Sequence, residues 1–231
     1  MEEDLKVLYE DNHIIVVVKP ANIPSQGDKT GDIDMLTIIK KYLIKKYNKK
    51  GDAYLGLIHR LDRPVGGVMV FAKTSKAASR LSEQVRNKEF KKRYLVIVDG
   101  KLKKNKGSFE DYLVKNERTN LSRVADEKTK NAKKALLDYE VIKYNDETDL
   151  SLVKVDLHTG RHHQIRVQFS SRGHSIYGDQ KYGTRGRGKQ ICLYAYSLTI
   201  KHPITKEEMT FENVPEVTGS WMILEDTYLV K

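Results

Sequence analysis

The segment Leu55–Lys73, LGLIHRLDRPVGGVMVFAK, carries the pattern from which the fold of this chain is best inferred. Two apolar runs, Leu55–Ile58 and Val68–Ala72, stand on either side of a polar stretch that contains a proline and two adjacent glycines. Short apolar runs bounded by proline and glycine are typical of buried strands. The segment therefore predicts a strand, a loop and a second strand, with the polar loop held between them.

Helices and further strands are predicted on both sides of this segment. Asp34 is expected to be a helix N-cap, because apolar residues follow it at helical spacing. Ser75 is expected to cap a second helix in the same way. Further strands are predicted at Ile14–Val18, Tyr94–Val98, Leu136–Val141, Leu150–Leu157 and Ile191–Ile200.

The order of these elements predicts the fold class. Helices and strands mix without regular βαβ alternation, which favours an α+β fold over a Rossmann arrangement. We expect one domain over residues 1–231, built on a mixed, largely antiparallel β-sheet with flanking helices and loops. The charged stretch Lys101–Lys133 is expected to form a hairpin, and Met209–Phe211 is expected to pair with the strand before it.

The charge of the chain indicates an anionic partner. Lys and Arg number 42 and Asp and Glu number 31, so the formal net charge is +11. A positive surface of this size attracts polyanions such as nucleic acids. The alternative is that the lysines are scattered, solvated surface residues without a binding role.

Other features of the composition exclude several classes of protein. Cys192 is the only cysteine, so neither an intrachain disulfide nor a cysteine-rich metal site can form. No run approaches the roughly 18 apolar residues of a membrane span, and the acidic start MEEDLKVLYED lacks the apolar core of a signal peptide. We therefore expect a cytoplasmic monomer with no membrane contact and no obligate protein partner.

The densest polar cluster is His59–Arg63, HRLDR, in the loop between the two apolar runs. Loops held by rigid strands often carry functional groups. A carboxylate among arginines and a histidine is biased to stay ionised, as a catalytic carboxylate requires. The alternative is a structural turn held by an Asp–Arg pair and a capping histidine.

A second cluster contains three histidines and two arginines within His158–Arg166. The histidines suggest a metal site, but neither HExxH nor CxxC accompanies them. Binding of a phosphate or carboxylate by Arg161, Arg166 and main-chain N–H groups at a helix start is the better interpretation.

Two further basic segments are candidate contacts to an RNA backbone. Lys91 and Lys92 precede Tyr94, and cations beside an aromatic ring suit a stacked base and its phosphates. Arg185 and Arg187 lie in a glycine-rich basic stretch. The alternatives are a strand tyrosine in the sheet and a solvated surface loop.

Taken in order, these segments resemble the RluA-type pseudouridine synthases. His59–Asp62 resembles the start of the family's HRLDxxTSG signature, and HPIT at His202–Thr205 is also similar to the family. Other similar segments are K-x-Y at Lys92–Tyr94, TGRxHQIR at Thr159–Arg166, GH, GD and YG within residues 173–183, and LYA at Leu193–Ala195. The resemblance covers about Val7 to Pro215.

The resemblance implies an enzyme that isomerises uridine to pseudouridine in ribosomal or transfer RNA. It implies that Asp62 is the catalytic carboxylate and that Tyr94 packs on the base. Arg60 is implied to fill the space that a flipped-out base leaves in the RNA, and Leu193 to support the substrate. No metal or organic cofactor is expected. The alternative is a non-catalytic RNA-binding or ribosome-assembly protein with the same fold.

The resemblance also places an arginine beside the catalytic carboxylate, at Arg166. We expect the side chains of Asp62 and Arg166 to meet within about 4 Å. A competing interpretation puts Arg166 on the outer face of its helix, where it would bind phosphate.

Two departures from the family pattern concern the catalytic loop and the start of the chain. Val65-Gly66 stand where the family has Thr-Ser, so two hydroxyls that could brace the loop are missing. The chain begins at the catalytic domain, so we expect no N-terminal RNA-binding domain.

The charge leads to a prediction about salt. RNA affinity should fall steeply with ionic strength, with a log–log slope near −0.7 for each phosphate contact to single-stranded RNA. Replacing Arg185 and Arg187 by glutamine should make that slope shallower by about one to two units. Fluorescence anisotropy across a salt series measures both slopes. A flat response of the wild type would assign the basic residues to solvated surface.

Overall fold

The structure is a computed structural model that describes residues 5–183 and 188–229. Its helices are α1 (Met35–Lys46), α2 (Ser75–Arg86) and α3 (Gln164–Ser170), with a 3-10 turn at Gly219–Leu224. The strands are β1 (Val7–Glu10), β2 (Ile14–Lys19), β3 (Gly56–Leu57), β4 (Gly66–Ala72), β5 (Lys91–Asp99), β6 (Lys106–Asn116), β7 (Leu121–Ala125), β8 (Lys133–Asn145), β9 (Leu150–Leu157), β10 (Leu193–Lys201) and β11 (Glu208–Glu212).

The chain divides into two compact units. The first unit contains Met1–Lys91 and Ala195–Asn213, and the second contains Lys92–Tyr194 and Val214–Lys231. The earlier expectation of one domain over residues 1–231 stays a prediction.

The first unit is a sheet of β1–β4, β10 and β11 with helix α2 packed on it, and four of its strand pairs are antiparallel. Strand β2 pairs with β1 and β4, β3 pairs with β4, and β10 pairs with β11. Ala77 and Leu81 of α2 share a buried cluster with residues of β2, β4 and β10. Gly67 lies so close to β10 that an added Cβ would be 2.2 Å from the Ala195 carbonyl oxygen, and its φ is +131°. Only glycine fits this approach.

The second unit is built on a five-stranded antiparallel sheet in the order β5-β9-β8-β6-β7. The β5–β9 register sets Lys92 opposite Leu157 and Tyr94 opposite Val155. Helix α3 ends at a turn in which Gly173 has a φ of +81°. A left-handed residue after a helix is usually glycine, as the position of Gly173 in the sequence suggests.

The structure confirms the α+β class and most of the predicted elements. Asp34 caps α1 by accepting a hydrogen bond of 2.7 Å from the Thr37 N–H. Two predictions were wrong in detail. The strand expected at Leu55–Ile58 is only the short β3, and the cap of α2 is Thr74, whose hydroxyl accepts from Ala77, rather than Ser75.

A buried carboxylate ties β1 to other elements of the first unit. Glu10 binds Lys73 at 2.6 Å and Lys46 at 2.7 Å, and it accepts hydrogen bonds from the hydroxyls of Tyr42 and Tyr47. Burial raises the pKa of Glu10, but the four hydrogen bonds outweigh it and lower the pKa to about 2.

This pKa predicts how the stability of the protein depends on pH. The ordinary value is 4.5, so Glu10 contributes stability above that pH, and the contribution is lost as pH falls towards 2. Glu10→Gln should lower the free energy of unfolding by about 2–3 kcal/mol at pH 7. Urea unfolding from pH 7 to pH 3 should show the difference from wild type shrinking below about pH 4.5.

Glu117→Gln is the matched control, because Glu117 pairs with Lys115 on the surface. It should cost less than about 1 kcal/mol at any pH. A Glu10→Gln deficit that stays constant down to pH 3 would contradict the electrostatic origin of the effect.

Candidate active site

The loop between β3 and β4 carries Arg60 and Asp62, and it also contains two buried apolar residues. Arg60 is exposed and Asp62 partly exposed, whereas Leu61 and Val65 are buried. The Val65 N–H donates to the Asp62 carbonyl at 2.9 Å, which closes a turn. Buried Leu61 and Val65 therefore anchor the loop around Asp62, which is itself partly exposed.

The other charged members of the HRLDR cluster have structural partners. Arg63 pairs with Asp32, lies 3.6 Å from Asp28 and donates to the Thr30 hydroxyl at 3.0 Å. The His59 Nε2 accepts from the Val70 N–H at 3.2 Å. Arg63 and His59 thus have structural partners outside the cluster.

A buried lysine lies in the electrostatic field of Asp62. Lys19 is fully buried, and its Nζ donates to the carbonyls of Pro20, Ile23 and Arg63 at 3.0, 2.5 and 3.0 Å. Burial lowers the pKa of Lys19 to about 7, although the nearby charge of Asp62 raises it. No pattern in the sequence indicates these contacts of Lys19, because Lys19-Pro20 resembles only the end of a strand.

In the second unit, the β5–β9 pair brings Lys92 close to the start of the TGRxHQIR segment, with Tyr94 two residues further along β5. Tyr94 is buried, and burial lowers the pKa of Lys92. A Cβ added to Gly160 would lie 3.7 Å from the Lys92 Nζ. The K-x-Y segment and the turn before α3 therefore form one local group.

Arg166 is held by a buried carboxylate. Its Nε and Nη2 donate to the two oxygens of Asp179 at 2.7 and 2.6 Å, and both residues are buried. Burial raises the pKa of Asp179, but its bonds to Arg166 outweigh this and hold it below the ordinary value. The guanidinium also lies 5.2 Å from the centre of the Tyr182 ring.

The structure shows that Arg166 is buried, but its expected contact with Asp62 is a separate matter. The interpretation that placed Arg166 on a solvent-exposed helix face is wrong, because its exposed fraction is 4%. The contact between Asp62 and Arg166 stays a prediction. A guanidinium has five N–H donors, so the pairing with Asp179 is compatible with a second carboxylate. The sequence contained Asp179 but could not pair it with Arg166.

The three histidines near α3 have separate partners. His158 binds Asp138 at 2.7 Å, His162 binds the Ser122 hydroxyl at 2.8 Å, and His163 binds the Tyr182 hydroxyl at 2.7 Å. Within residues 5–183 and 188–229, no group of three or more His, Cys, Asp or Glu side chains could hold a metal ion.

The remaining predicted residues lie in different surroundings. Lys91 is exposed and pairs with Glu208 at 3.0 Å, and the Arg161 Nε donates to the Lys134 carbonyl at 2.8 Å. Leu193 is buried at the start of β10. Arg185 and Arg187 lie outside the described residues. No helix in the described part of the chain is long and apolar enough to cross a membrane.

Comparison with known proteins identifies the family. A sequence profile described as RNA pseudouridylate synthase matches residues 13–171. An uncharacterised RNA pseudouridine synthase of Aquifex aeolicus is 35% identical, with 90% of this chain and 68% of that protein covered. The dual-specificity RNA pseudouridine synthase RluA of Haemophilus influenzae is 32% identical, with 91% and 93% covered.

A solved structure has the same fold. Human RNA pseudouridylate synthase domain containing 1 superposes with a TM-score of 0.77 at 22% identity, over 96% of this chain and 87% of that one. The resemblance and the enzyme class predicted from the sequence are thus confirmed. This chain belongs to the RluA-type pseudouridine synthases of the RNA pseudouridylate synthase family, which are isomerases.

Proposed function

We propose that this protein converts uridine to pseudouridine in ribosomal or transfer RNA and that Asp62 is its catalytic carboxylate. The observation that carries the proposal is the position of Asp62, partly exposed on a loop that buried Leu61 and Val65 anchor. A catalytic carboxylate needs this combination, since it must reach the substrate from a fixed position.

The reaction is an isomerisation that needs no external reagent. The C1′–N1 bond of uridine breaks, the base rotates, and C1′ joins C5. The hydrogen on C5 leaves as a proton, and N1 gains one. An aspartate can start this by attacking the sugar or the base, or by removing a sugar proton, and each route requires the ionised form in a water-poor site.

The other site residues have roles that follow from their chemistry. A base inside a helix is out of reach, so the target uridine is flipped out. Arg60, which is exposed, fills the space left behind. Tyr94 packs on the flipped base, and Leu193 supplies apolar contact to it. Arg166 keeps Asp62 ionised, because arginine cannot lose its charge.

The net charge of the chain supports RNA as its binding partner. The formal charge of +11 suits a phosphate backbone. Lys91, Lys92 and Arg161 are the described candidates for backbone contact. We propose that the protein acts as a monomer in the cytoplasm.

The first test of this proposal is Asp62→Asn, which keeps the shape of the side chain and removes its charge. RNA containing uridine tritiated at C5 releases tritium as pseudouridine forms. Wild type should release it, and Asp62→Asn should lose turnover by at least about 1,000-fold while binding RNA within about 3-fold of wild type.

Asp146→Asn is the matched control, because Asp146 is an exposed turn aspartate. It should keep wild-type turnover. Near wild-type tritium release by Asp62→Asn would refute the role of Asp62. An active-site role is also refuted if RNA binding is lost in parallel with turnover.

The second test is Arg166→Lys, which keeps the positive charge beside Asp179 but loses the planar fork. Alanine is unsuitable, because it would leave Asp179 buried without its partner, at a cost of about 3–5 kcal/mol. Arg166→Lys should lower kcat by about 10–100-fold. RNA affinity should change by less than about 3-fold, as measured by anisotropy.

Arg172→Lys is the matched control, since Arg172 follows the same helix and pairs with Asp111 at 2.9 Å. It should leave kcat within about 2-fold of wild type. Unchanged kcat in Arg166→Lys would refute the proposed role of Arg166 beside Asp62.

A further inference from the structure

The segment that follows β2 contacts the main chain of the Asp62 loop. The Ser25 hydroxyl donates to the Leu61 carbonyl at 2.9 Å and accepts from the Leu61 N–H at 3.1 Å. Ser25 and Leu61 are both buried. One hydroxyl thus binds both main-chain polar groups of the residue directly before Asp62.

The same segment binds the residue directly after Asp62. The Lys19 Nζ and the Asn22 N–H both donate to the Arg63 carbonyl, at 3.0 and 2.8 Å. Hydrogen bonds therefore fix the main chain on both sides of Asp62, and all of these donors and acceptors belong to the first unit.

The loop supplies no hydroxyl of its own for this purpose. Residues 58–67 read IHRLDRPVGG and contain neither serine nor threonine. Side-chain hydrogen bonds from a serine or threonine to the backbone of this loop must therefore come from elsewhere in the chain. Ser25 is 36 positions away from Leu61 in sequence.

We propose that Ser25 is a positioning residue for Asp62. The Ser25 hydroxyl fixes the Leu61 peptide groups and thereby the direction of the catalytic carboxylate. The proposal rests on the proposed function of Asp62. Ser25 need not touch the substrate, and its effect reaches the reaction through the backbone of the loop. Lys19 is its counterpart at Arg63.

The physical reason is the sensitivity of catalysis to position. A displacement of about 1 Å can cost about 100-fold in rate. Ser25→Ala removes the partner of a buried N–H and a buried carbonyl, and such groups shift to find other partners. The loop should then move, while the surfaces that bind RNA keep their shape.

The experiment compares kcat and KM for tritium release from C5-labelled RNA. Ser25→Ala should lower kcat by about 10–100-fold and change KM by less than about 3-fold. The matched control is Ser151→Ala, because Ser151 is also fully buried and donates to a main-chain carbonyl, that of Gly100, at 2.7 Å. It should keep kcat within about 2-fold of wild type.

A second variant and a second measurement separate positioning from general destabilisation. Ser25→Cys keeps most of the side-chain volume and should give a kcat between those of wild type and Ser25→Ala. Hydrogen exchange at the Leu61 amide should be at least about 10-fold faster in the Ser25 variants than in Ser151→Ala. If Ser25→Ala does not fold, Ser25→Cys carries both measurements.

The outcomes distinguish the two proposals. In the first case, wild type releases tritium, but the kcat of the Ser25 variants is unchanged or falls no more than that of Ser151→Ala. The proposed role of Ser25 is then wrong, and the proposed function stands. If wild type releases no tritium from ribosomal or transfer RNA, the proposed function fails and the role of Ser25 fails with it.

Discussion

The proposed role of Asp62 imposes one constraint on the structure: a catalytic carboxylate must be fixed in place without being buried. The chain fixes the main chain of the loop, through Ser25 and Lys19 on its two sides and through buried Leu61 and Val65 within it. Asp62 itself is partly exposed.

A buried ion pair in the second unit fixes the orientation of another proposed site residue, Arg166. Arg166 and Asp179 neutralise each other in the interior of the second unit, with additional hydrogen bonds from the Lys181 and Tyr182 amides to Asp179. A buried ion pair is seldom worth much stability. Its value here is that it sets the orientation of an arginine whose charge the proposed reaction uses.

Local patterns in the sequence predicted most of the fold but little of the support around Asp62. The strand Leu150–Leu157 and the cap at Asp34 can be predicted from residue types that are close in sequence, and the structure contains both. Thr74 and Ser75 are adjacent hydroxyl residues, so the sequence could not decide which one caps the helix. Ser25 and Lys19 contact the loop through main-chain atoms of Leu61 and Arg63, 36 and 44 positions away, and main-chain partners leave no trace in residue type. Only the folded chain brings them together.

The central claim, that this protein makes pseudouridine with Asp62, is tested most directly by mapping pseudouridines in ribosomal and transfer RNA. RNA from cells with the protein would be compared with RNA from cells without it, and from cells complemented by wild type or Asp62→Asn. The account predicts that specific pseudouridines disappear without the protein, return with wild type and do not return with Asp62→Asn. Identical maps with and without the protein, or restoration by Asp62→Asn, would contradict it.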